Sequence, residues 1–268
     1  MAADPGRYTY DTHMRSTDAM VVKHMVNDPT MIHRAHAEAY KDVRMQIRGH
    51  GYLEKVQFSN QAYGQYDYRT LDRTIVDAAE PENDFATAVG AFTFTASAAG
   101  GFTVPLGTRI VVSPLAPSDV DYVAQGLVVF TTDAALIVAA GASGAVAVTA
   151  EHPGLPHNIP AGQLAYLDAS EPGLPTLDRI VNDAETTGGV DHQLTRATVY
   201  RALELVYRNL TSREDDVFNG KRKLYADYYK EEVALMVAGR IVMVVNDDGV
   251  ESAEEFEMRH GYHRINRG

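Results

Sequence analysis

The chain has 268 residues, 45% of them hydrophobic, no cysteine, and a formal net charge of −12. This composition supports a buried core in one large domain or two modest ones and argues against wholesale disorder. It excludes disulfides, thiolate metal sites and a cysteine nucleophile, and the acidity argues against a broad DNA-binding face, which works by neutralising phosphates.

No apolar run is long enough to cross a membrane: the longest, Ala134–Ala140, is followed by the breakers Gly141 and Gly144. The first residues, Met-Ala-Ala-Asp-Pro-Gly, lack the basic stretch and apolar run expected of a signal peptide. The acidity is uneven. Residues 85–191 hold two arginines (Arg109, Arg179), no lysine and ten Asp or Glu, a net of −8, which leaves −4 for the rest. That imbalance predicts a middle segment with a solvent-facing acidic exterior.

In chain order, a short helix is expected over Thr17–Val26. Asn27-Asp28-Pro29 is a start signal, with Asp28 to cap and Pro29 at the first helical position. Ile32, Ala35, Ala39, Val43 and Ile47 then make one helical stripe, which Gly49 and Gly51 end. Residues 57–70 read as loop and Tyr68–Ala79 as a short helix.

From residue 85 the pattern changes to short apolar or alternating runs between Gly/Pro turns: Ala91–Ala96, Arg109–Val112, Leu127–Thr131, Leu136–Ala140 and Ala145–Ala150. Helix returns near Gln193. Leu194, Ala197, Tyr200, Leu203, Val206, Tyr207 and Leu210 form a stripe, and Thr211–Asp215 breaks it and caps the next helix. Val217, Phe218, Leu224, Tyr225, Tyr228 and Leu235 form a second stripe, followed by a strand at Ile241–Val245 and a turn at Asn246–Gly249.

Two or three amphipathic helices at each end need partners for their apolar faces. The expected fold is therefore α+β. Residues 1–84 and 191–268 form one small helical bundle, interrupted by an all-β insert at 85–190 of sandwich (immunoglobulin-like) or small-barrel type.

Candidate sites point away from chemistry. His24, His33 and His36 share neither a further ligand nor a fixed metal spacing, so they read as exposed or interface histidines. Asn246-Asp247-Asp248-Gly249 with Glu255 has calcium-loop residue types. Aligning Gly249 to the loop's glycine puts Val244 where a carboxylate is required, and a hairpin turn explains the same residues. Gly188-Gly189 lacks the Lys-Ser/Thr of a phosphate loop and reads as the hinge from insert to helix. Ser170, Asp191 and His192 are triad residue types without a nucleophile elbow. No catalytic residue, metal or cofactor is expected. Interface candidates are Tyr225, Tyr228 and Tyr229, beside Tyr200 and Tyr207, although tyrosines on a helical stripe are more often core than surface, and the terminal Arg259, Arg264 and Arg267, which can pair with carboxylates on a neighbour or equally form a solvated tail.

Two resemblances carry the functional expectation. Thr195–Leu210, Glu214–Phe218, Lys221–Tyr228 and Asn246–Gly249 together resemble the C-terminal part of tailed-phage head–tail connector (adaptor) proteins. In these a helix, an acidic turn, a Tyr-rich helix and an acidic-Gly turn follow in that order. The middle resembles baseplate J-like proteins, through Val104-Pro-Leu-Gly-Thr, Val129-Phe-Thr-Thr, His157-Asn-Ile-Pro-Ala-Gly, Arg179-Ile-Val-Asn and Thr187-Gly-Gly-Val-Asp.

The first resemblance implies a structural virion protein of the neck. It would form a ring, commonly of twelve copies, between portal and tail-side stopper or tail terminator. Its C-terminal tail would reach the portal, and double-stranded DNA would pass unbound through an acidic lumen. The second implies a baseplate component. A recognition module in which the β insert binds a fibre or host surface is the alternative from another class. Neither resemblance involves a membrane or an enzyme.

Overall fold

The computed structural model describes residues 8–49, 85–212 and 216–240, which fall into two compact units. The helix expected over Tyr68–Ala79, the loop at 57–70, the strand and turn at 241–249, Glu255 and the terminal Arg259, Arg264 and Arg267 lie outside the described residues.

The first unit is built on eight strands: β1 (Val89–Ala96), β2 (Phe102–Val104), β3 (Arg109–Val112), β4 (Val128–Thr132), β5 (Leu136–Val138), β6 (Ser143–Ala150), β7 (Leu164–Leu167) and β8 (Leu177–Val181). Six form a closed antiparallel barrel in the order β1-β6-β4-β3-β7-β8, while β2 and β5 pair as a separate two-stranded sheet. β1 closes the barrel. One edge pairs with β6, from Val89↔Thr149 to Thr95↔Ser143. The other pairs with β8, from Thr93↔Val181 to Ala96↔Leu177, with a register shift between Thr95 and Ala96. Such an irregularity adds coil to a strand and helps a sheet curl onto itself. The expected immunoglobulin-like sandwich is thus corrected to a barrel: the two edge strands that a sandwich would leave open bond to each other.

The alternation seen in the sequence sets the two faces. Phe92, Phe94 and Ala96 of β1 and Val146, Val148 and Ala150 of β6 point inward, joined by Ile110, Phe130 and Ile180. Phe92 and Phe130 meet at 5.3 Å between ring centroids. The interior is filled by side chains, as the geometry of so small a barrel requires.

The described residues up to His33 belong to this unit, not to the helical part in which residues 1–84 were expected. They form α1 (Asp11–Thr17), a 3-10 turn (Ala19–Val21) and α2 (Val22–Asn27). The single helix expected over Thr17–Val26 is interrupted at Asp18. This residue is extended (φ −145°, ψ 100°) and its carboxylate accepts the Met20 N–H at 3.0 Å, which caps a new start. Arg15 anchors α1 to the loop before β4, its Nη1 donating to Val123 O and Gln125 O at 2.9 Å each.

Two glycines permit this close approach. A Cβ on Gly126 (φ +69°) would sit 2.9 Å from Asp11 O, and one on Gly154 (φ +124°) would land on the His13 ring.

The second unit holds α3 (Pro29–Gly49) from Arg34 onward, α4 (Thr195–Leu210) and α5 (Val217–Leu235), which runs on into a π-helical turn (Met236–Arg240). Asp28 caps α3, accepting the Met31 N–H at 2.9 Å, and the stripe through Ala35, Ala39, Val43 and Ile47 is buried. The α4 stripe is buried at Leu194, Ala197, Leu203, Val206 and Tyr207.

Arg201 of α4 reaches Asp42 of α3 at 2.6 Å and also pairs with Glu204. α5 starts at Asp216, whose carboxylate accepts the Phe218 N–H at 3.0 Å, so the cap lies one residue beyond the predicted acidic segment. α4 and α5 meet through rings: Tyr207 stacks on Tyr225 at 5.9 Å and on Phe218 at 6.1 Å. The second predicted stripe divides. Tyr225 is buried, whereas Val217, Leu224, Tyr228 and Leu235 are exposed.

Because Gly154 combines a left-handed backbone with contact to His13, Gly154→Ala is expected to lower stability by about 2–4 kcal/mol. Gly173, with open space around it, is the control. Gly173→Ala should stay within roughly 0.5 kcal/mol of the parent in urea denaturation.

Candidate functional site

The most constrained polar cluster of the barrel unit lies where the chain enters and leaves the barrel. Antiparallel bridges Ala86↔Val190 and Val89↔Thr187 bring entry and exit together. Gly188 (φ +89°) makes the turn there. Asn158 holds Gly189 at both backbone groups, donating from Nδ2 to Gly189 O and accepting the Gly189 N–H at Oδ1, each at 2.8 Å. A Cβ on Gly189 would sit 2.8 Å from that same Oδ1. The glycine pair predicted as a hinge is therefore a turn held at both backbone groups.

His13 joins α1 to this junction. Its Nδ1 accepts the Tyr10 N–H at 3.1 Å, so Nε2 carries the proton and donates to Asp191 Oδ1 at 3.1 Å. The same carboxylate oxygen accepts the Leu155 N–H at 2.7 Å. Burial pushes the Asp191 carboxyl up, but the His13 and Leu155 hydrogen bonds outweigh it, and the net shift is downward. Tyr10 stacks on His152 at 4.3 Å.

His157 is fully buried next to this cluster, edge-on to Phe130 at 6.5 Å. Neither of its ring nitrogens has a hydrogen-bond partner among the described residues. Burial, with the nearby His13 and His152, lowers its pKa to about 4, so it packs as a neutral ring.

A cleft of about 270 Å³ opens beside the cluster, lined by Tyr10, Asp11, Thr12, Ile32, His33, Arg109, Glu151 and His152. Its cation is already engaged: Arg109 meets Glu151 at 2.8 Å and Asp168 at 3.4 Å, while Glu171 accepts the Arg109 N–H at 3.1 Å. The Glu151 bond raises the Arg109 pKa. Six further carboxylates of the barrel segment, Asp119, Asp121, Asp133, Asp178, Asp183 and Glu185, are exposed, so its outer surface is acidic.

The triad residue types are engaged separately. Ser170 donates to Asp168, Asp191 holds His13, and His192 Nδ1 accepts the Leu194 N–H. Of the candidate histidines, His36 is buried whereas His24 and His33 are not. Among the described residues no group of three or more His, Asp or Glu is arranged to hold a metal ion.

In the helical unit Tyr225 is buried in the ring stack. Tyr229 lies under the Arg201 guanidinium, 5.5 Å from its ring centroid, with its hydroxyl buried and its pKa pushed up to about 12, chiefly by burial. Of the three tyrosines named as interface candidates, Tyr228 presents an exposed face. His13, which anchors the junction, carries no sequence signal of its own, because a lone histidine in a polar helix looks ordinary; His157 stands in the His157-Asn-Ile-Pro-Ala-Gly run of the baseplate J-like resemblance, but nothing in that run marks it as a buried ring.

Residues 91–189 match the model of the Baseplate J-like protein barrel domain, a little over a third of the chain. The match runs from within β1 to Gly189 and so coincides with the closed barrel and its exit turn. It supports a protein associated with a phage-type tail or baseplate, and it does not extend to α4 and α5, where the connector resemblance lies. No curated protein matches the chain.

Among solved structures, a chain of the cryo-EM, six-fold symmetrised baseplate of the anti-feeding prophage (AFP) is similar, at 12% identity and a TM-score of 0.33. The similarity covers 55% of this chain and 44% of that one, so it spans less than half of the baseplate chain.

The buried His157 makes stability pH-dependent. Unfolded, it takes up a proton near its ordinary 6.5; folded, it resists down to about 4. As pH falls through that window the unfolded state binds the extra proton, so stability falls. Between pH 8 and pH 4.5 the parent should lose on the order of 2 kcal/mol from this group. His157→Leu, compared with the parent by urea denaturation at both pH values, should lose less.

Proposed function

We propose that this protein is a structural, non-enzymatic component of a phage or phage-like tail, seated in the baseplate, with its barrel as a rigid assembly module. The observation that carries the reading is the match of residues 91–189 to the baseplate J-like barrel, together with a barrel core filled by Phe92, Phe94 and Phe130. A filled barrel offers its outside, not its inside, to partners. That outside is acidic, which suits a protein neighbour with a basic face and disfavours nucleic acid.

A neck location is the second reading. Its support is the order of α4 and the Tyr-rich α5, with the acidic run Glu214-Asp215-Asp216 between them in the sequence, which follows the connector resemblance. On that reading the protein forms a ring between portal and a tail-side stopper or terminator, and DNA passes through without specific binding.

Cryo-EM of purified particles labelled with an antibody fragment against the barrel separates the two. Label at the distal end of the tail is the expected result. Label at the head–tail junction overturns the baseplate seat in favour of the neck, and particles lacking the protein overturn both. The acidic exterior also leads us to expect that the purified protein leaves double-stranded DNA unshifted in gels at roughly 0.15 M salt.

A further inference from the structure

α5 carries more apolar surface than α4 covers. Besides the ring stack toward α4, it exposes Val217 (61%), Leu224 (44%), Tyr228 (41%) and Leu235 (39%). At 100° per residue these four fall within about 40° of arc, so they form one stripe along the helix. Their spacings of 7, 4 and 7 residues read the same in both directions about Ala226.

The charges beside the stripe follow the same symmetry. Lys221 lies five residues before Ala226 and Glu231 five residues after it. Reversing the helix end for end therefore sets Val217 on Leu235, Leu224 on Tyr228, and Lys221 on Glu231.

We infer that the exposed stripe of α5 docks on α5 of a second copy of this chain, antiparallel, about a two-fold axis at Ala226. A two-fold contact needs a surface complementary to itself, and both the apolar and the charged positions of this helix satisfy that condition. A parallel pairing would set Lys221 beside Lys221 and Glu231 beside Glu231, which is repulsive. Four apolar side chains per copy fall short of the ~800 Å² per partner of a standard stable interface. The contact is therefore weak in dilute solution and closes when copies are held together, as in a multi-copy assembly. It is independent of where in a tail the protein sits.

Sedimentation of the full-length protein across concentration reads the contact directly. A monomer–dimer equilibrium is expected, with a midpoint on the order of 100 µM. Lys221→Glu and Glu231→Lys alone should each weaken it roughly tenfold, and the double reversal should restore it to within about threefold. The restoration matters because Lys221 also lies 5.5 Å over the Tyr207 ring, a contact that its single reversal loses. Leu224→Glu should leave a folded monomer by circular dichroism.

Orientation has its own test, because the chain has no native cysteine. Two copies of residue 217 lie about 27 Å apart along an antiparallel pair at 1.5 Å per residue. Val217→Cys mixed with Leu235→Cys should therefore cross-link under oxidation, whereas Val217→Cys alone should not. Self-cross-linking of Val217→Cys, a monomer at every concentration, or association unchanged by the reversals would overturn the inference.

Discussion

The barrel depends on β1 bonding along both of its edges. Pairing with β6 on one side and β8 on the other turns an open sheet into a closed one, and the register shift between Thr95 and Ala96 supplies the extra coil. With no strand edge left open, the six strands need no further partner to satisfy their backbone groups. Closure also brings the segments before β1 and after β8 side by side, so Ala86 and Val190 bridge. The neighbouring entry and exit points of the barrel thus follow from the strand order.

Sequence and site connect through that junction. Gly154, Gly188 and Gly189 are there because backbone passes too close, or turns too sharply, for a side chain. His13 and Asp191 then tie α1, the Leu155–His157 turn and the exit strand with one carboxylate oxygen. The cluster works as a fastening. Its polar groups hold backbone segments, and the arginine of the neighbouring cleft is paired with Glu151 and Asp168.

Much of the fold was legible. Period-two alternation located β1 and β6, and the Asp28-Pro29 start and the α3 stripe formed as read. Three strands were not visible. β8 carries the consecutive exposed residues Asp178 and Arg179, β7 is four residues with Leu164 exposed, and β2 is three residues between Gly101 and Pro105. Short strands with polar or exposed centres give no period to detect. Closure was also out of reach, because alternation sets which face is buried and not which strand an edge will find. Apolar spacing alone did not separate core from surface along α5. Val217, Leu224, Tyr228 and Leu235 fit a helical stripe, but spacing does not say whether a neighbour in the same chain covers it. At the junction, the sequence showed the glycines at 188 and 189 but not His13, since a partner 178 residues away leaves no local trace.

The paired entry and exit have a mechanical consequence. Tension along the backbone between Ala86 and Val190 meets the bridges Ala86↔Val190 and Val89↔Thr187 and the Asn158–Gly189 bonds before it reaches the barrel strands beyond the first residue of β1. The junction therefore acts as a short circuit for force. A pull on the flanking segments loads these few bonds in a peeling geometry and leaves the six-stranded wall off the load path. A chain built this way can take strain through the segments flanking Ala86 and Val190 while its barrel keeps its shape and its acidic outer surface.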